Sequence, residues 1–159
     1  MPKSSNAPSM PSKIEITNKF AHPEDANKLL YTPRTRRISF LRTKVYYCVI
    51  DGDASAFQAW MRRVLLDEVS QDLHAGDAPA LGGSATILEF GMKPGALDHE
   101  REMILEEYHR EGEETLGFTL KDLKLRTRIY LSGEDGQPVD AAPFVKDIVN
   151  PAVHTHKVM

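Results

Sequence analysis

Leu123-Lys124-Leu125-Arg126-Thr127-Arg128-Ile129-Tyr130-Leu131 alternates without a break. Leu123, Leu125, Thr127, Ile129 and Leu131 fall on one side, and Lys124, Arg126, Arg128 and Tyr130 on the other. A period of two belongs to an extended chain, whose successive side chains point to opposite faces. The stretch therefore predicts a strand with its apolar side inward and three cations beside a tyrosine facing solvent. One-faced strands are the mark of antiparallel sheets, so this segment decides the fold class.

Working outward, Ile38 to Ile50 is rich in β-branched and aromatic residues, with Val45, Tyr47 and Val49 on one face and Tyr46, Cys48 and Ile50 on the other. Apolar residues on both faces predict an inner strand. After the turn Asp51-Gly52-Asp53, Ser55-Ala56-Phe57-Gln58 matches a capping box. The helix expected to follow aligns Phe57, Trp60, Met61, Val64, Leu65, Val69 and Leu73. A short strand is expected over Ala85 to Phe90. Asp98 to Glu114 forms an acidic helix around Ile104, Leu105 and Tyr108. Ser132 to Gly136 is a turn, and Pro138 to Val149 an edge segment or short helix. The order predicts an α+β fold, a mostly antiparallel sheet with helices packed on one side.

The chain has 159 residues, with 41% apolar and 27% charged residues, a globular composition for one domain. Residues 1–13 are rich in serine and proline, with little to bury. We therefore expect a flexible basic N-terminal arm over residues 1–36, a single α+β domain over 37–150 and a frayed tail over 151–159. The one cysteine, Cys48, permits no intramolecular disulfide and reads as a buried apolar residue. The longest apolar run is too short to cross a bilayer.

The net charge of −3 hides an asymmetry. Residues 1–50 hold nine lysines and arginines against three acids, whereas residues 51–159 hold eleven against twenty. Such a split predicts an arm that seeks anionic surfaces or the acidic face of a neighbouring copy. The arm's candidate contacts are Lys13, Lys19, Lys28, Arg34, Arg36 and Arg37, joined by Lys124, Arg126 and Arg128 of the alternating strand. Glu102, Glu106, Glu107, Glu113 and Glu114 form the candidate acidic face for self-association. Each cluster has a plainer reading as solvated surface.

Signatures of catalysis are missing. Gly82-Gly83-Ser84 is not followed by the Gly-Lys-Ser/Thr of a phosphate loop, Glu106-Glu107-Tyr108-His109 lacks zinc-ligand spacing, and no Gly-x-Ser-x-Gly elbow occurs. His154-Thr155-His156 could set two imidazoles on one face, but no further ligand completes a shell. No catalytic residue, metal, cofactor or small-molecule substrate is assigned, and the expectation is a protein that is not an enzyme.

The layout resembles the matrix proteins of rhabdoviruses, short ones like those of plant-infecting members. The resemblance covers about residues 38–146. It lies in the order and spacing of Arg42 to Tyr47, the helix with Phe57-Gln58-Ala59-Trp60, Thr86 to Phe90, Gly117-Phe118-Thr119-Leu120, the alternating strand, and Ala141-Ala142-Pro143-Phe144. The resemblance implies a structural protein of the virion. Such a protein lies beneath the envelope and at the inner membrane face of the host cytoplasm. It self-associates, condenses the nucleoprotein–RNA complex and bridges it to an anionic membrane during budding. A basic arm gains about 1 kcal/mol per Lys or Arg at such a surface, and arrays multiply this by avidity. The alternative expectation is a nucleic-acid-binding accessory protein of a virus, phage or plasmid, using the arm and the Lys124, Arg126 and Arg128 face. A small enzyme and a generic adaptor rank below these.

Overall fold

The computed structural model describes residues 10–83 and 85–159. Its strands are β1 (Met10–Asn18), β2 (Glu24–Asp25), β3 (Ile38–Gly52), β4 (Gln71–Ala75), β5 (Thr86–Met92), β6 (Phe118–Gly133) and β7 (His154–Val158). The helices are α1 (Ala54–Leu65), α2 (His99–Glu111), α3 (Glu113–Leu116) and α4 (Ala142–Ile148). All strand pairs are antiparallel, in the order β4-β1-β3-β6-β5-β7, with β2 added to β3. The fold is α+β.

β3 and β6 pair along almost their whole length and form the spine of the sheet. One face of that spine carries two apolar cores. Over one end, Phe57, Trp60 and Met61 of α1 and Ile104 and Tyr108 of α2 cover Ile14, Tyr46, Cys48, Ile50, Leu123 and Leu125. Over the other end, Phe144 of α4 and Ala26 and Leu30 of a 3-10 turn (Ala26–Leu29) cover Phe40, Leu88, Ile129 and Leu131. Burial explains the inert Cys48, whose thiol pKa is pushed up to about 12 by desolvation and by Asp122.

Four expectations need correction. Residues 10–36 are not a loose arm. β1 is an inner strand between β3 and β4 because Ile14 and Ile16 enter the core under α1 and α2. The first nine residues of the expected arm lie outside the described residues. The tail is not frayed, since β7 pairs with β5 from Met92↔His154 to Leu88↔Val158. The helix after the turn is shorter than its apolar spacing suggested. It stops at Leu65, Val69 is exposed, and Leu73 belongs to β4. Its N-cap is Asp53 rather than Ser55, with the Asp53 carboxylate accepting from the backbone N–H groups of Ser55 and Ala56.

Candidate functional site

The opposite face of the spine carries no helix, yet its centre is dry. β1 contributes Glu15, β3 Thr43 and Tyr47, β5 Glu89, and β6 Arg128 and Tyr130. The strand register sets Thr43, Arg128 and Glu89 side by side across three strands. Arg128 donates from Nε to Glu89 at 2.8 Å and from Nη1 to Glu15 at 2.7 Å. Tyr130 and Thr43 donate to the second oxygen of Glu15 at 2.5 and 2.6 Å. The connection from β4 to β5 passes over this cluster, where the Ala80 N–H donates to Glu15 at 3.0 Å and the Lys13 ammonium to the Asp77 carbonyl at 2.6 Å. Glu15, Glu89 and Arg128 are at most 2% exposed.

Buried charges persist when paired and hydrogen-bonded, and Glu15, Glu89 and Arg128 are both, while the Lys13 ammonium is held by the Asp77 carbonyl. Burial would raise the pKa of Glu89, but hydrogen bonds from Tyr47 and Arg128 and the charge of Lys157 outweigh it and hold the carboxyl below its ordinary value. Tyr47 moves the other way, up to about 12, through burial and its bond to Glu89. Arg128 is held above its ordinary range because its carboxylate and tyrosine partners outweigh its desolvation. The cluster is an ionic plug, in which burial also lowers the pKa of the adjoining Lys13.

Beside the plug the sheet opens. β5 pairs with β6 only as far as Phe90↔Thr127, so β6 runs on from Asp122 to Arg126 without that neighbour. The chain from Met92 to Asp98 bows outward to reach α2. The cleft between them holds about 750 Å³ and is floored by Tyr47, Glu89 and Arg126. Gly91 makes the junction possible, because a Cβ there would lie 2.5 Å from the Leu125 carbonyl oxygen and 2.8 Å from Cδ of Arg126. Arg126 crosses that space to donate to Thr155 of β7 at 2.7 Å. The free edge of β6 is partly capped, with Arg101 Nε donating to the Leu123 carbonyl and the Tyr108 hydroxyl accepting from the Leu120 N–H.

The rim of the cleft is cationic. Lys93, Lys124 and Lys157 are exposed along it. Lys93 and Lys124 make no ion pair among the described residues, and Lys157 sits 3.5 Å from Glu89 and over the Tyr47 ring. The four lining carboxylates are all engaged within the fold. Glu89 is in the plug, Asp98 caps α2, Glu102 pairs with Arg101, and Asp122 accepts from the Leu123 N–H.

The residues expected to bind from the arm are dispersed. Lys13 belongs to the polar face, and Lys19 lies beside β4, donating to the Glu68 carbonyl with Asp72 3.7 Å away. Lys28 pairs with Glu24, and Arg36 is bound by Asp135 and by the carbonyls of Gln137 and Pro138. Arg37 is 3.9 Å from Glu134 and largely exposed, while the Arg34 side chain has no partner among the described residues. On β6, Lys124 is the solvent-facing cation expected, Arg126 is mostly covered, and Arg128 is buried in the plug, so the expected triple face reduces to one residue. Of the acidic face, Glu102 pairs with Arg101, Glu107 with Arg110, and Glu113 accepts from Thr119, whereas Glu106 and Glu114 remain exposed and unpaired among the described residues. Lys93 and Lys157 were missed because each is a single lysine beside a turn or near the end of the chain, and only folding gathers them around Lys124.

Among the described residues no helix is long and apolar enough to cross a membrane, and no group of three or more His, Cys, Asp or Glu is placed to hold a metal ion. Comparison with protein-family models, with curated proteins and with solved structures finds no match for this chain.

Proposed function

We propose that the protein binds nucleic acid, with the lysine-rimmed cleft beside β6 holding the phosphate backbone of a single strand. The observation that carries this reading is the meeting of Lys93, Lys124 and Lys157 around a cleft whose carboxylates are all engaged elsewhere. Lys93 and Lys124, without an ion pair among the described residues, and the exposed Lys157, 3.5 Å from Glu89, release counterions from a phosphate chain on this concave surface, and this term supplies most of non-specific affinity. Tyr47 offers no stacking platform, because its hydroxyl is bonded to Glu89 and Lys157 lies over its ring. The contact is therefore to backbone, with little preference among bases.

The envelope-linking role implied by the matrix-protein resemblance drew its force from a mobile cationic leader. Within residues 10–37 only Arg34 and the loosely held Arg37 are left for such a contact. Support therefore moves to the nucleic-acid reading, and an anionic membrane becomes the competing outcome of its test.

That test is fluorescence anisotropy of a labelled mixed-sequence single-stranded oligonucleotide, titrated at several salt concentrations beside flotation on vesicles containing phosphatidylserine. Three phosphate contacts give a slope of log affinity against log salt of about −2. Lys93→Glu combined with Lys124→Glu and Lys157→Glu should abolish binding, while Arg34→Glu with Arg37→Glu should change it less than twofold. Vesicle binding without oligonucleotide binding, or affinity that survives the triple substitution, overturns the proposal.

A further inference from the structure

We infer that copies of this chain join head to tail through the two sheet edges left unpaired among the described residues, β4 of one copy adding to β7 of the next. The inference rests on strand register; Lys93 and Lys157 are shared with the cleft, whereas Asp72 lies outside it, so Asp72→Lys tests assembly without altering the proposed phosphate contacts.

The path β4-β1-β3-β6-β5-β7 has six strands, each antiparallel to the last. Strand direction therefore alternates, and β4 and β7 point opposite ways. A second copy placed in the same orientation brings its β4 antiparallel to the first copy's β7, so the alternation continues across the junction. Such a contact is heterologous and does not close on itself by symmetry.

The backbone groups at both edges point the right way. In an antiparallel pair alternate residues exchange both backbone bonds. Ile87 and Met159 exchange theirs, and the Lys93 N–H reaches the Val153 carbonyl. His154, His156 and Val158 must then turn their N–H and C=O groups away from β5. On the other edge, the Gly76 N–H reaches Lys13 and the Lys19 N–H reaches Ser70, which leaves Gln71, Leu73 and Ala75 facing outward from β1. The Gln71 N–H is taken by Asp67 and that of His154 by Asn150. The N–H groups of Leu73, Ala75, His156 and Val158 have no partner among the described residues.

One register lets the central pair exchange both backbone bonds and each end pair make one. Setting Gln71 opposite Val158, Leu73 opposite His156 and Ala75 opposite His154 overlaps two strands of five residues completely, with outward group facing outward group. The same register sets Asp72 directly opposite Lys157, both exposed and on the polar face of the sheet. The flanks agree in charge, since Asp67, Glu68 and Asp77 surround β4 while Lys93 adjoins β7. Pairing β7 with β7 at full overlap, about His156, would set Lys157 opposite Thr155 and so lacks the carboxylate that Asp72 of β4 supplies.

Sedimentation velocity over a wide concentration range, at low and moderate salt, tests this. The expected result is a series of species growing with concentration and without a fixed end point. Asp72→Lys and Lys157→Asp should each sediment as a monomer, because each gives both edges the same sign. An equimolar mixture of the two variants should regain assembly, because each variant's β4 then meets an opposite charge on the other's β7. His156→Pro removes an outward N–H without touching the bonds to β5 and should also give a folded monomer, checked by circular dichroism. A wild-type monomer at all concentrations, a closed dimer, or a mixture that stays monomeric overturns the inference.

Discussion

On the helical side of the sheet, Phe57, Trp60, Tyr108 and Phe118 meet edge to face or tilted, at centroid distances of 5.4–6.0 Å. On the other side the same strands send Glu15, Glu89 and Arg128 into a cluster just as dry. The first face is held by area removed from water, which is nondirectional and tolerant of shape-conserving change. The second is held by saturation. Glu15 accepts from Thr43, Tyr130, Arg128 and Ala80, and the loss of one donor leaves a charge with nowhere to go. Strand alternation thus separates apolar from polar without separating inside from outside.

The largest effect should come from breaking each face at its centre. Phe118→Ala removes a fully buried ring and should cost about 3–5 kcal/mol. Arg128→Met leaves the buried Glu15 without its ion pair and takes from Glu89 its nearest cation, with Arg126 and Lys157 remaining 3.6 and 3.5 Å away, and should cost a similar amount, about 3–5 kcal/mol. The two should part company with pH. Because the pKa of Glu89 is lowered in the fold, its contribution is complete above the ordinary value of 4.5 and fades as pH falls through the lower folded value. Urea denaturation at pH 7 and again near pH 4 should therefore show the Arg128→Met deficit shrinking while the Phe118→Ala deficit holds. Equal deficits at both pH values would mean the ionic face behaves like any packed core.

A middle-sized effect belongs to the seam where plug meets cleft. Gly91→Ala sets a methyl against the Leu125 carbonyl and the Arg126 side chain. Overpacking of this kind costs about 1–3 kcal/mol. It should also pull Arg126 away from Thr155 and Glu89, loosening the hold of β7 on the sheet. Hydrogen exchange should quicken in β7 while the amides of β3 stay protected. Unchanged exchange in β7 would remove Arg126 from the account of how that strand is held.

Legibility followed the same division. β3, β5, β6, α1 and α2 announce themselves through apolar periodicity, and the fold class followed from β6. The strands that escaped notice, β1, β2, β4 and β7, place few apolar residues on the core. β1 offers Ile14 and Ile16, but Lys13 and Glu15 beside them read as solvent-facing until Arg128 and the Asp77 carbonyl are known to meet them. In β4, Leu73 fitted the helical spacing of α1, and in β7 His154-Thr155-His156-Lys157 carries no apolar pattern at all. Of the cleft, Lys124 was readable from its strand. Lys93 and Lys157 were not, since nothing local ties residues that far apart, and Arg128 looked identical to Lys124 because sequence alternation does not say which cation finds two carboxylates.

The smallest expected effect concerns how the apolar layer begins. Ser55 and Gln58 have the spacing of a capping box, but Asp53 accepts from two of the first amides of α1 and adds a negative charge at the positive end of the helix. Replacing an N-cap acid by alanine costs about 1 kcal/mol. Asp53→Ala should lower the denaturation midpoint by that amount, whereas Ser55→Ala, inside the helix at an exposed position, should be neutral or slightly stabilising, since alanine is the better helix former. If Ser55→Ala proves the more damaging of the two, α1 starts later than Ala54. The contacts of Phe57 and Trp60 with Phe118 would then have to be redrawn from a shifted first turn.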